Sequence, residues 1–271
     1  TDLQRSHNDS SRVYLLLAGG CGEREPASTG RHVGLLEHRG EGWSCDRQTH
    51  RAFGTHGEIV AITTLDGALA GMRPPEDFLK NGATMVVGRH YSPFYVAGRP
   101  GAAVAPSPGI GGAALTTYAG QIPFSNPASG WSYLCRLAAS CTGIGTLLLC
   151  DRLWHNSGIN VTLTTSQTVN SVTLPARDRL GATNGDNVLI GAEVSTVMGA
   201  GTPTWTMGYT NQAGTSGRSI VTAAQAATMA VGSFIPMPLA AGDTGVRSIQ
   251  TWQQSATMTS GAYHLVAYRI L

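Results

Sequence analysis

From Trp131 to Ile270 the chain keeps repeating one unit: a short segment of β-forming residues closed by a turn signal. Candidate strands fall at Trp131–Ala139, Gly145–Trp154, Thr168–Leu174, Asn187–Val197, Thr202–Thr210, Gly217–Thr222, Met229–Pro236, Val246–Gln254 and Ala262–Ile270. Between them stand Asn156-Ser157-Gly158, Thr183-Asn184-Gly185-Asp186, the run 213–217 (AGTSG) and Ala241-Gly242-Asp243. Eight or nine short strands at this spacing cannot bury their apolar faces singly, and with no helix-sized crossover between them they predict an all-β fold. The expected architecture is an antiparallel β-sandwich, with the jelly roll as its version.

The residues before Trp131 read differently. Residues 1–57 are polar and rich in Gly, Arg and His, and predict an extended arm lying on another subunit. Residues 58–127 predict a small mixed β region with a Pro/Gly linker at Arg99–Ala114, a stretch that cannot sustain a ladder. Within it Glu58–Met72 reads as two strands about an Asp-Gly turn, and Thr84–Gly98 is again strand-like. Pro74–Gly82 (PPEDFLKNG) reads as one short helix with Pro at its start and Gly at its end. The sandwich domain is therefore placed at 128–271, with the boundary near Pro123–Gly130.

Charge narrows the functional classes. The formal net charge is +2, and Lys80 is the only lysine. The arginines are scattered, whereas a phosphate-tracking surface needs them clustered, so no nucleic-acid partner is expected. Residues 131–271 carry only seven arginines and five acids, and draw their polarity from Thr, Ser, Asn and Gln. Desolvating unpaired charge is costly, so such a surface suits a protein covered by neighbours. Val13, Tyr14, Leu15, Leu16 and Leu17 form the arm's best apolar anchor, and Trp205, Tyr209 and Trp252 are the expected aromatic anchors of a subunit interface.

No motif supplies chemistry. Asp151 and His155 are the most enzyme-like pair, but on a strand they would share a face about 13 Å apart, too far for a hydrogen bond. No G-x-S-x-G elbow accompanies them. Asp178 sits in a polar loop where Arg177 and Arg179 are its expected partners. Cys21, His32, His38, Cys45, His50 and His56 could supply zinc ligands, yet their spacings match no close-pair pattern. GIGGAA (Gly109–Ala114) lacks the ending of a phosphate loop. The reading is no catalytic residue, no cofactor and no metal. Five cysteines without a CxxC pair suit reduced thiols made in a cytosol. The run before Cys21 is too short for a lipoprotein leader, and no stretch reaches membrane-helix length, so no membrane is expected.

NPASGWSYLCRLAAS, GTLLLCDRLWHNSGINVTLTTSQTVNS and TPTWTMGYTNQAGTSGR resemble structural proteins of tailed-bacteriophage virions. The resemblance spans 126–271 and rests on a DRLWHNSG turn, Thr-rich strands and a YTNQAG hairpin. It implies a capsid-surface decoration or cement protein, assembled in the host cytoplasm, without chemistry of its own. Its partners would be the major capsid protein and copies of itself, a trimer being favoured. The alternative is a tail- or fibre-associated host-recognition module that stacks glycan on Trp and Tyr.

Overall fold

The computed structural model describes residues 14–18, 51–53, 59–61, 77–81, 86, 88–123, 138 and 145–271. The chain divides into two units, one of Thr1–Cys21 with Asp77–Leu271 and one of Gly22–Glu76. In the second, β2 (Arg51–Phe53) pairs antiparallel with β3 (Ile59–Ala61).

The first unit is all-β. Its strands are β1 (Tyr14–Ala18), β4 (Leu79–Lys80), β5 (His90–Tyr91), β6 (Gly98–Arg99), β7 (Ala113–Ala114), β8 (Thr146–His155), β9 (Gln167–Thr168) and β10 (Leu189–Thr196). They continue with β11 (Trp205–Asn211), β12 (Arg218–Val221), β13 (Ser233–Pro236), β14 (Val246–Gln254) and β15 (Ala262–Ile270). Two antiparallel sheets pack as a β-sandwich. One runs β1-β5-β13-β10-β15-β8-β7, the other β12-β11-β14-β9. β1 also pairs with β8, so the strands β8, β15, β10, β13, β5 and β1 close on themselves and the larger sheet curls.

Alternation in the sequence builds the core. In β11 every second residue is buried, which sends Trp205, Met207 and Tyr209 between the sheets and Thr206 and Thr210 outward. Val246, Ile249 and Trp252 of β14 meet them, and Tyr263, Leu265 and Ala267 of β15 face them from the larger sheet. Trp205 lies 4.8 Å from Tyr263 and 5.4 Å from Trp252 by ring centroids, and the Trp252 indole N–H donates to the Tyr263 hydroxyl at 2.8 Å. That bond satisfies a polar atom that would otherwise be costly at this depth.

The larger sheet has a second cover. Residues 88–123 run across its other face, where Phe94 and Tyr118 stack at 5.7 Å and join Cys150, Phe234, Val266 and Tyr268 in a smaller core. Close approach here needs glycine twice. A Cβ on Gly191 would meet the Phe234 ring at 2.1 Å, and one on Gly112 would meet the Trp154 ring at 2.4 Å. Lys80 pins the same segment by donating to the carbonyls of Val96, Pro100 and Gly101 at 3.2, 2.8 and 3.1 Å.

Several local expectations change. Among the described residues Thr84–Gly98 holds, ahead of β6, only the short strand His90–Tyr91 and a 3-10 turn at Pro93–Tyr95. The Arg99–Ala114 linker pairs at both its ends, Arg99 with Leu79 and Ala113–Ala114 with His155 and Trp154. Leu79–Lys80, inside the expected helix, is a strand paired with Gly98–Arg99, because Lys80 and the backbone there serve the 96–101 loop. Thr168–Leu174 shortens to the two-residue β9, since beyond Thr168 the chain bends onto Gln250, Ile249 and Gly111 through Asn170, Ser171 and Val172.

Candidate functional site

β8 carries the sequence's most chemically suggestive residues, and a bulge decides what they face. Pairing with β15 runs Arg269↔Asp151 and Tyr268↔Arg152, then shifts, and resumes as Ala267↔Trp154 and Val266↔His155. The extra residue, Leu153, reverses the face of everything after it. Asp151 and His155 therefore point to opposite faces of the sheet, where an unbroken strand would have put them on one. They do not form a pair.

Asp151 is fully buried and receives Arg177 through two contacts, Nε at 3.2 Å and Nη2 at 3.3 Å, with Arg269 at 3.7 Å. Arg177 also donates to the Leu115 carbonyl at 3.1 Å, tying the 113–115 segment to this cluster. The expected partnership of Arg177 with Asp178 is not made. Asp178 instead accepts four backbone N–H bonds, from Leu180, Ala182, Gly185 and Asp186 at 2.7–3.2 Å. Arg179 turns to Asp186 at 2.9 Å.

On the opposite face Arg152 pairs with Glu193 at 2.5 Å, both buried, with the guanidinium 4.5 Å from the centre of the Phe94 ring. The His155 and Tyr118 rings meet nearly perpendicular, their centroids 4.6 Å apart. His264, opposite Glu193 in register, meets the Ser195 hydroxyl through Nε2 at 2.6 Å. Ser195 is itself the bulged residue of β10, between the Val194 and Thr196 pairings. Burial, with Arg152 beside them, pushes the His155 imidazole down to about 3 and the His264 imidazole down to about 4. Both rings are neutral at pH 7.

This cluster was missed in the sequence, although two signals point to it. Glu193 is a lone acid inside the apolar run LIGAEVST, and His264 a lone imidazole inside AYHLVAYRI. A lone ionisable residue in a strand covered on both faces requires an internal partner. Among the described residues Ser195–His264 is a serine–imidazole contact with no carboxylate hydrogen-bonded to the imidazole. An imidazole pushed down to about 4 is a weak proton acceptor at neutral pH, and among the described residues no carboxylate bonds His264 Nδ1 to orient it as a base. The geometry is that of a cross-strand tie.

The aromatic anchors expected at an interface are elsewhere. Trp205, Tyr209 and Trp252 are fully buried in the chain's own core, because their strand positions face the larger sheet. Trp154 is buried as well, its indole N–H donating to the Gly111 carbonyl at 3.1 Å. These rings hold the sandwich together and offer nothing to a glycan. Tyr14, Leu15, Leu16 and Leu17 lie on β1, paired with β5 and β8; Val13 lies outside the described residues, as do Trp43, Trp131 and the Cys and His residues weighed as zinc ligands. Among the described residues no group of His, Cys, Asp and Glu side chains is placed to hold a metal ion. Among them too, no helix is long and apolar enough to cross a membrane.

What remains as a candidate surface is the outer face of the four-stranded sheet. Register sets Thr168, Thr251, Gly208 and Ser219 in one row and Gln253, Thr206 and Val221 in the next, with Thr210 opposite Ser248. None of these is charged. Gly208 leaves room for Thr251, whose Oγ1 sits 2.3 Å from where a Cβ would be. The rest of the domain is nearly as bare. Of the charged side chains in residues 145–271, Asp151, Arg152, Arg177, Asp178, Glu193 and Arg269 are buried, and Arg179–Asp186 and Arg218–Asp243 are paired with each other. Arg247, which bonds to Asn184, is the one charged residue of that stretch that is neither buried nor ion-paired.

No protein-family model matches this chain, and comparison with curated proteins and with solved structures returns no match.

Proposed function

We propose that this chain is a non-enzymatic virion structural protein that binds a capsid shell as a decoration or cement protein and bridges neighbouring subunits. Its sandwich in this reading is a jelly roll. Strand order supports that: β8, β15, β10 and β13 are neighbours in one sheet, and β9, β14, β11 and β12 in the other. From β8 to β15 every connection except β11 to β12 passes from one sheet to the other, as two interlocked Greek keys require.

The observation that carries the function is the emptiness of the domain's surface charge. Half of the charges in residues 131–271 are spent inside the fold, so the exterior is poorer in charge than the sequence suggested. Net surface charge keeps proteins apart in solution, and its depletion marks the centre of interfaces. The hydroxyl and amide rows of Thr206, Thr251, Ser219 and Gln253 provide a face that a neighbour can cover without desolvating an ion. The expected partners are the major capsid protein and further copies of this chain, gathered as a trimer on the virion surface after assembly in the host cytoplasm.

The test is reconstitution. Purified protein added to shells assembled without it should bind to saturation and raise their resistance to heat or osmotic shock. Label confined to the tail in imaged virions, with bare shells, would move the reading to a tail-associated module.

A further inference from the structure

We propose that the slot between β5 and β8 is an exchange site, able to take β1 from a second copy of this chain. β1 sits in that slot with both of its edges used: Leu17 and Ala18 pair with Tyr91 and His90, and Tyr14–Ala18 pair with Cys150–Thr146. On the far side of β8, β15 reaches only Cys150–His155, and β7 takes Trp154 and His155 on the near side. Thr146–Leu148 therefore have β1 as their only strand neighbour among the described residues. Remove it, and two sheet edges stand open facing each other, which is a template for another extended segment.

Three features make a second copy the occupant. First, the slot is lined by backbone donors and acceptors, which recognise an extended strand and not the chain it came from. A β1 from a neighbour forms the same ladder in the same register. Second, β1 lies outside the connected order of the sandwich. The eight strands β8–β15 follow one another, whereas the covalent route from β1 to its slot leads through Gly22–Glu76, which forms a separate unit. Nothing in the strand connectivity commits β1 to its own sandwich. Third, exchanging an identical element costs little intrinsically, because bonds lost in one copy are regained in the other, and the balance is set by the connecting chain and local concentration. The surface of residues 145–271, almost free of unpaired charge, adds little repulsion between two copies.

This inference does not depend on the capsid reading. Purified protein tests it alone, and failure of shell binding would leave it standing.

The experiment uses cross-strand partners Leu16 and Leu148, which face each other in the β1–β8 register. One full-length chain carries Leu16→Cys and another, of distinguishable mass, Leu148→Cys. They are unfolded together, refolded at a series of concentrations, oxidised, and mapped by mass spectrometry for a disulfide joining positions 16 and 148. A third chain carrying both substitutions reports whether β1 occupies the slot at all. The expected result is the 16–148 link between two different chains. Its yield should rise about tenfold for a tenfold rise in concentration while it is the minor species, as mass action requires. Linkage confined to the doubly substituted chain, with none between chains at any concentration, overturns the proposal. Absence of the link in the doubly substituted chain overturns it too, since the slot would then not hold β1.

Discussion

Along β15 the side chains alternate between two unlike surroundings. Tyr263, Leu265 and Ala267 enter an interior made of Ile190, Val194, Trp205 and Trp252, apolar around these side chains, with the buried Asp151–Arg177–Arg269 cluster further along the same face of the sheet. His264, Val266 and Tyr268 enter a second interior that holds an ion pair, two neutral imidazoles and a tyrosine stack under the 88–123 segment. The same strand thus serves two cores built on different physics. The apolar one gains from area removed from water and forgives changes that keep volume. The polar one gains little from its charges overall, because desolvation offsets their attraction, yet it suffers when a single partner is removed.

The largest effect of a single substitution should come from breaking the ion pair of the polar core. Glu193→Ala leaves Arg152 buried without its carboxylate and should cost about 3–5 kcal/mol in urea unfolding. Replacing both, with Arg152→Met and Glu193→Leu, should restore most of that loss. If the double variant were as unstable as the single one, the two cores would not differ in kind.

Acid should separate them next. His155 and His264 are held neutral, pushed down from an ordinary 6.5 to about 3 and about 4. Above pH 6.5 both folded and unfolded chains leave these rings uncharged, so they cost nothing. As pH falls below 6.5 the unfolded chain takes up protons that the fold refuses, and stability drops until pH nears 3–4. The two shifts together span about six pH units, so the loss over the whole window is at most on the order of 8 kcal/mol. Asp243, held down to about 2 by Arg218 and Tyr209, loses its contribution below its ordinary carboxylate range, so the slope between pH 6.5 and 4.5 belongs to the imidazoles. His155→Gln with His264→Gln should flatten it in denaturation curves taken at each pH. An unchanged slope would place the acid sensitivity elsewhere.

A smaller effect tests the tie between strands. Ser195→Ala removes one hydrogen bond to His264 and should cost about 1 kcal/mol. Loss of an ester- or peptide-cleaving activity in that variant would give Ser195 a chemical role. Smallest in stability is Thr251→Arg on the outer face of the four-stranded sheet, expected within about 0.5 kcal/mol. It should nevertheless weaken shell binding, since a guanidinium must then be desolvated. Undiminished binding would take that face out of the interface.

How far the sequence revealed this depends on what set each feature. Val246–Gln254 and Ala262–Ile270 are strands with the bounds expected, because alternation and Gly-containing turns are local signals. The short strands at His90–Tyr91, Gly98–Arg99 and Ala113–Ala114 are fixed by contacts with distant residues, which a single sequence does not display. The same holds for the bulge at Leu153, since only the partner strand reveals that one residue is extra. Trp205 and Trp252 are the reverse case. Their apolar character was legible, but whether a ring fills its own core or a neighbour's depends on which sheet faces it. The low charge is legible in the sequence as a number but not as a place, for half of those charges lie inside.

Asp178 holds a loop the way a bound anion would. Four amide N–H groups from residues 180–186 converge on its carboxylate, the arrangement by which loops elsewhere cradle a phosphate. Here the anion is covalently attached to the chain it organises, at the fixed stoichiometry of one, and no salt in the medium can compete for the place. The turn between Asp178 and Leu189 therefore keeps its shape whatever the surrounding ions.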